Sequence, residues 1–278
     1  MSFRPSPFGM PPVVKNLLII NVLFFFASIV LYSRLGIRIE DYLGLHVPAA
    51  EYFRPYQLIT YMFLHAYPQP SHLFFNMFAL FMFGRMLEMV WGPKRFLLYY
   101  MVTGVGAGLI QMLVQMVEVQ PVLNAVTYYL NNPSHENLLA FFGQTPMINQ
   151  NAYIAFENAY NGLINTNPEL AIGLSKEYVY NYGLDYARYL NLYATVGASG
   201  AVFGILLAFG MLFPNTVLFL MIPPMPIKAK YFVIIYGVIE LFLGVANFSG
   251  DNVAHFAHLG GMLFGFFLIR YWRKKGVY

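Results

Sequence analysis

Apolar residues in this chain neither alternate nor form narrow stripes. They come in long runs separated by polar stretches. A hydrocarbon layer about 30 Å thick takes about 20 residues of helix. Six runs approach or reach that length: Val14 to Ser33, His72 to Val90, Phe96 to Val117, Leu190 to Phe213, Tyr231 to Phe248 and Val253 to Trp272. The pattern predicts an all-α membrane protein, a bundle of six transmembrane helices. The first run is too long for the apolar core of a secretory signal and lacks a small-residue cleavage site, so it is read as a retained helix.

Composition strengthens this reading. Hydrophobic residues make up 59% of the 278 residues and charged residues 10%, against about 45–50% and about 25% in soluble domains. So few charges cannot cover a water-soluble surface. A mean hydropathy of +0.56 excludes a disordered chain. Cysteine is absent, which excludes disulfides, thiolate metal sites and a cysteine nucleophile. The net charge of +4 is spread too thinly for a nucleic-acid surface. The expected surroundings are a lipid bilayer.

The basic residues set the orientation. Arg4, Lys15, Arg85, Lys94, Arg95, Lys228, Lys230, Arg270, Arg273, Lys274 and Lys275 fall on one side of the six-span arrangement, with Glu88 as the one acid there. Both termini are therefore expected to be cytoplasmic. With no targeting presequence, the bacterial inner (plasma) membrane is the expected location. The opposite side carries two long connections, about residues 34–71 and 118–189. The second is far longer than an ordinary connection and holds stretches, Ala152 to Tyr160 and Tyr178 to Tyr193, that predict short amphipathic helices. Two readings of it stand: a water-exposed insert packed on itself, or a cap touching the membrane surface through its tyrosines. The expected organisation is residues 1–117 (helices 1–3 with the first loop), 118–189 (a non-cytoplasmic insert between helices 3 and 4) and 190–278 (helices 4–6), one domain overall with the insert.

Polar groups inside apolar spans are costly and ask for a reason. They are His72, Asn76, Glu88, Gln111, Ser199, Glu240, His255 and His258. Ser199 is flanked by Gly197 and Gly200, with Gly204 one turn on, which leaves room for another backbone or a substrate to approach its hydroxyl. His258 precedes Gly261 and Gly265, a G-x-x-x-G spacing that lets a helix come close. If that helix is the fourth span, with Gly200 and Gly204 facing it, Ser199 meets His258, a nucleophile with its base. No aspartate lies near enough in sequence to suggest a third member, and an extra buried carboxylate would be expensive to ionise. A dyad is the expectation. His72 and Asn76, four apart, share a helix face and can both donate hydrogen bonds to an oxyanion, although the pair alone fits a capping and packing role as well.

Together these residues resemble the rhomboid family of intramembrane serine proteases. His72-x-x-x-Asn76, Gly197-x-Ser199-Gly200 and Ala257-His258-x-x-Gly261 occur in the family's order. Tyr52-Phe53-Arg54-Pro55 followed by Phe63-Leu64-His65 resembles its first-loop region, and Gly84-x-x-x-Glu88 the end of its second span. The resemblance implies a cavity open to the non-cytoplasmic side, with Ser199 as nucleophile and His258 as general base. His72, Asn76 and the Ser199 backbone N–H would form the oxyanion site. The family places an aromatic residue, often tyrosine, one turn after the serine, stacked on the histidine. Phe203 stands there and lacks the hydroxyl. The long insert departs from the family's short connection.

The implied activity is endoproteolysis of transmembrane segments in membrane proteins, with no cofactor, no metal and no nucleic acid involved. His255 and His258, without cysteine or an H-E-x-x-H motif, are not read as a metal site. Nor is His255 read as the base: it lies near the same helix face and is expected to support the bundle. Asp251 could join the two histidines in a relay. Inverted repeats or mid-membrane helix breaks, which a transporter would need, are not evident. The alternative is a catalytically silent rhomboid-like protein that binds membrane-protein clients.

Overall fold

The computed structural model describes residues 9–66, 69–221, 224–246 and 253–276. Arg4, Phe248 and Asp251, which entered the span, orientation and relay expectations, lie outside them.

The first helix, α1 (Pro12–Leu35), starts at a Pro-Pro step and has no side-chain cap of its own. Glu88, far along the sequence, supplies the cap: its carboxylate accepts from the Val13 N–H at 3.0 Å and the Val14 N–H at 2.8 Å. Two otherwise orphaned helix N-terminal donors are thereby satisfied. The helix stops at Gly36, whose φ of 66° is the left-handed conformation of a glycine terminator. The second helix, α2 (Pro70–Trp91), contains a π turn at Leu80–Gly84. The third, α3 (Pro93–Asn131), runs 39 residues, continuing well past the predicted end at Val117. Pro121 lies inside it and removes one N–H from the ladder without ending the helix.

Three further helices, α4 (His135–Gln144), α5 (Gln150–Leu163) and α6 (Pro168–Tyr189), fill the predicted insert. Each starts on a polar cap, Ser134, Asn149 or Asn167, whose side chain accepts a backbone N–H three residues on. The helical body then resumes with α7 (Ser199–Leu212), a hairpin of β1 (Val217–Met221) and β2 (Pro224–Lys228), α8 (Ala229–Ala246) and α9 (His255–Lys274). In the antiparallel hairpin Val217 pairs with Lys228. Pro224 and Pro226 cannot donate to a helix ladder, which suits them to this short ribbon.

The predicted fourth span started at Leu190, but the helix starts at Ser199. Leu190–Leu192 form a single 3-10 turn. Thr195 then exchanges backbone hydrogen bonds with Leu45, at 2.9 and 2.8 Å. Gly197, at φ 133°, turns the chain into the helix and donates its N–H to the Tyr61 carbonyl at 3.0 Å.

Among the described residues, four helices are long and apolar enough to cross a membrane: α1, α2, α3 and α8. The helix α7 is equally apolar but has 14 residues.

The chain divides into two compact units. One comprises residues 1–45, 55–112 and 195–278, the other residues 46–54 and 113–194. The first is cored by Val14, Leu17, Leu80, Leu87, Phe96, Tyr99, Tyr100, Val202 and Ile205, among others. Small residues set its helix contacts. A side chain at Gly261 would strike the Gly200 carbonyl, so α9 lies directly on the backbone of α7. Gly204 was expected to face the sixth span. It faces α3 instead, where a Cβ would stand 2.7 Å from the Thr103 Cβ. A side chain at Gly265 would likewise meet the Tyr99 hydroxyl of α3. The glycines therefore serve two seams, because α7 and α9 both also pack on α3.

The second unit has its own core, with Tyr129, Leu138, Phe141, Phe156, Tyr160, Val179, Tyr182 and Tyr186. Buried tyrosine hydroxyls find partners: Tyr182 donates to the Pro146 carbonyl at 2.8 Å, and Tyr129 bonds Ser175. Burial pushes the Tyr182 hydroxyl above the usual tyrosine range, so it stays a donor. Part of the first loop belongs to this unit. The Tyr52 N–H bonds the Asn191 side-chain oxygen at 2.9 Å, and the Glu51 N–H bonds the Ala187 carbonyl at 3.2 Å.

Candidate active site

Ser199 is the first residue of α7, at a helix N-terminus without a side-chain cap. Backbone N–H groups in such a first turn lack intrahelical acceptors and face whatever approaches the terminus. The hydroxyl is half-buried. Its Oγ lies 2.9 Å from Nε2 of His258, in the first turn of α9. The close approach of Gly261 to Gly200 is what lets these two helix starts meet.

The His258 ring is held on three sides. Phe203, one turn after Ser199, stacks on it with ring centres 4.1 Å apart and planes within 5°. Tyr236 of α8 stacks on Phe203 in turn, at 5.3 Å. The third contact was not foreseen. Nδ1 of His258 lies 2.8 Å from the Glu240 carboxylate, and the same oxygen lies 2.7 Å from Nδ1 of His255. All three residues are buried.

The expectation of a serine–histidine pair with no carboxylate beside it is thus corrected. A buried carboxylate is affordable here because two imidazole N–H groups point at one of its oxygens. The signal that could have found it is in the sequence. Glu240 is the one charged residue between Lys230 and Ala246 in the otherwise apolar α8, and His255 and His258 are spaced to reach one point. These three residues also bring ligand-type atoms within 4.8 Å of one another, as a metal site would need.

His72 of α2 stands near Ser199, and Asn76 follows it one turn along the same helix. A Cβ placed at Gly197 would lie 3.2 Å from His72 Nε2 and 3.5 Å from Ser199 Oγ, so these groups surround a single point. The φ of Gly197 strains any side chain, and a Cβ there would also press on the His72 ring at 3.1 Å. The Ala66 N–H points at Nδ1 of His72 across 3.4 Å. Nδ1 is then the acceptor, so the neutral ring carries its proton on Nε2, the nitrogen that faces the same point as Ser199 Oγ. Asn76 is buried and gives one N–H to the His72 carbonyl at 2.9 Å, which leaves its second N–H uncommitted among the described residues. His65 is buried beside His72, with ring centres 5.2 Å apart. Arg54 of the first-loop motif is exposed and donates to the Glu51 and Phe53 carbonyls at 3.1 and 2.7 Å.

Long apolar helices packed through glycines define an integral membrane protein of all-α architecture. A family model described as the Rhomboid domain matches residues 52–126 and 169–275, and the chain belongs to the rhomboid family. That family comprises mostly serine intramembrane proteases, together with inactive members, and acts on transmembrane substrates in the bilayer. The match omits residues 127–168, the end of α3 with α4 and α5. Comparisons with curated proteins and with solved structures gave no match.

Proposed function

We propose that this protein is an intramembrane serine endopeptidase that cuts transmembrane segments of membrane proteins, with Ser199 as nucleophile and His258 as general base. The observation that carries this reading is the 2.9 Å contact between Ser199 Oγ and His258 Nε2. A silent, client-binding relative has no need of a nucleophile seated on a base.

A peptide bond inside a helix is shielded by its own hydrogen bonds, so the substrate must unwind locally. Small or helix-breaking residues near the scissile bond lower that cost. Ser199 Oγ attacks the carbonyl carbon as His258 Nε2 takes the hydroxyl proton. The oxyanion meets His72 Nε2–H, Asn76 Nδ2–H and the Ser199 N–H. His258 then returns the proton to the departing amine, and water hydrolyses the acyl-enzyme. No step calls for a cofactor or a metal. The helix α7 has 14 residues and rises about 21 Å, less than the about 30 Å of a hydrocarbon core. If its C-terminal end lies at one face, Ser199 lies below the other, which fits a water-filled depression over the serine. That face is the non-cytoplasmic one if both termini are cytoplasmic, in a bacterial inner membrane.

The test is labelling of the purified protein with a fluorophosphonate, together with hydrolysis of a transmembrane peptide panel. Wild type should label and cut, while Ser199→Ala and His258→Ala should lose nearly all of both and remain folded. Equal labelling of wild type and Ser199→Ala, or a wild type that neither labels nor cuts, overturns the reading.

A further inference from the structure

We infer that Glu240 is a positioning residue for catalysis, holding His258 in the tautomer that can accept the Ser199 proton, with His255 as its second anchor. This rests on the assignment of Ser199 and His258 above.

A carboxylate oxygen only accepts, so Nδ1 of His258, 2.8 Å from Glu240 Oε2, must carry a proton. A neutral imidazole has one N–H. With Nδ1 protonated, Nε2 presents a lone pair, and it is Nε2 that lies 2.9 Å from Ser199 Oγ. The opposite tautomer would make Nε2 a donor to the hydroxyl and leave no base. The carboxylate selects between them.

His255 meets the same oxygen at 2.7 Å, so its Nδ1 is a donor as well. The carboxylate oxygen is then held between two N–H groups from the first turn of α9, and its position is fixed by both. The face of His258 is fixed separately, by Phe203 at 4.1 Å. One ring edge, the other ring edge and one ring face thus each have a single partner: Ser199, Glu240 and Phe203.

The chemistry balances without moving a proton to Glu240. The Ser199 O–H bond breaks as Oγ–C forms, and the proton joins His258 Nε2. The resulting imidazolium bears its charge against an anion in buried surroundings, then passes the same proton to the leaving amine. Glu240 begins and ends as a carboxylate.

The experiment uses the full chain in detergent, with a fluorophosphonate as probe, and separates the maximal inactivation rate from the probe's affinity. Glu240→Gln keeps the shape and removes the charge. We expect its maximal rate to fall about 100- to 10,000-fold with affinity unchanged. A rate within about threefold of wild type, or a loss confined to affinity, overturns the inference. Melting of the variant checks that it is folded. If it is not, nitrogen NMR of histidine-labelled wild type decides: neutral His258 protonated on Nδ1 supports the inference, and protonation on Nε2 overturns it. Failure of Ser199 itself is recognised separately, by wild type that does not label.

Discussion

In the unit that carries Ser199, the closest helix approaches run through residues with almost no side chain: Gly200 against Gly261, Gly204 against Thr103, Gly265 against Tyr99. In the unit built from residues 46–54 and 113–194, the core contacts run through rings. Phe156 stacks on Tyr178 with centres 4.3 Å apart, and Phe141 meets Tyr182 edge-on at 5.1 Å. The contrast has a physical cause. Between helices in lipid there is little hydrophobic drive, so association depends on backbones coming close enough for dispersion and hydrogen bonding. Helices that bury large apolar faces against one another gain most from aromatic side chains, which bury the most area per residue. Glycine therefore means opposite things in the two units. At Gly261 it is a contact, whereas at Gly162 and Gly173 a Cβ would meet nothing within 4 Å.

Substituting these glycines is the most direct way to break the comparison. Gly261→Ala would drive a methyl into the Gly200 carbonyl and push α9 off α7. We expect fluorophosphonate labelling of Ser199 to fall about 100-fold or more, since a shift of about 1 Å at a reacting pair costs that much. Near-normal labelling would mean that the seam is looser than its geometry. Next in size, Asn76→Ala should lower turnover about 10- to 1000-fold with little change in KM. A purely raised KM would move Asn76 from the oxyanion site to substrate binding.

The opposite unit should respond with the opposite sign. Gly173→Ala lies inside α6, with open space around it, and should raise the stability of that unit by about 0.5–1 kcal/mol. Hydrogen exchange of the α6 amides measures this, and slower exchange is the expected result. The smallest effect is expected from removing the ring-packed helices altogether. Replacing residues 124–185 with a short Gly/Ser linker should leave fluorophosphonate labelling within about twofold of wild type, while the choice among membrane substrates changes. A folded but unreactive product would make those helices part of the active-site architecture.

Much of this organisation was legible in the chain because oil and water impose long-range rules on it. Five of the predicted apolar runs became helices within a few residues at their starts, and the amphipathic stretches Ala152 to Tyr160 and Tyr178 to Tyr193 fell largely in helices α5 and α6. What escaped were features that hydropathy does not encode. Leu190 to Val196 is apolar or nearly so, yet its backbone breaks to pair with Leu45 before Gly197 turns it into α7. The hairpin after α7 is as apolar as a helix. At the site, helical spacing put His72 with Asn76 on one face, and the family resemblance implied Phe203 one turn from Ser199. Helical spacing could not reveal that Glu240, 18 residues before His258, would turn its carboxylate to that ring, because the two residues lie on different helices. A buried carboxylate is costly when it stands alone, but His255 and His258 both donate to this one.

The cap that Glu88 places on α1 has a consequence for how the chain meets a bilayer. The Val14 N–H waits for an acceptor 74 residues further along. The first turn of α1 is thus completed only when the end of α2 has been made and has come alongside it. Afterwards the two helices share a fixed depth. A bilayer thicker or thinner than their apolar length would be met by joint tilting, because sliding one past the other would strip two N–H groups of their acceptor.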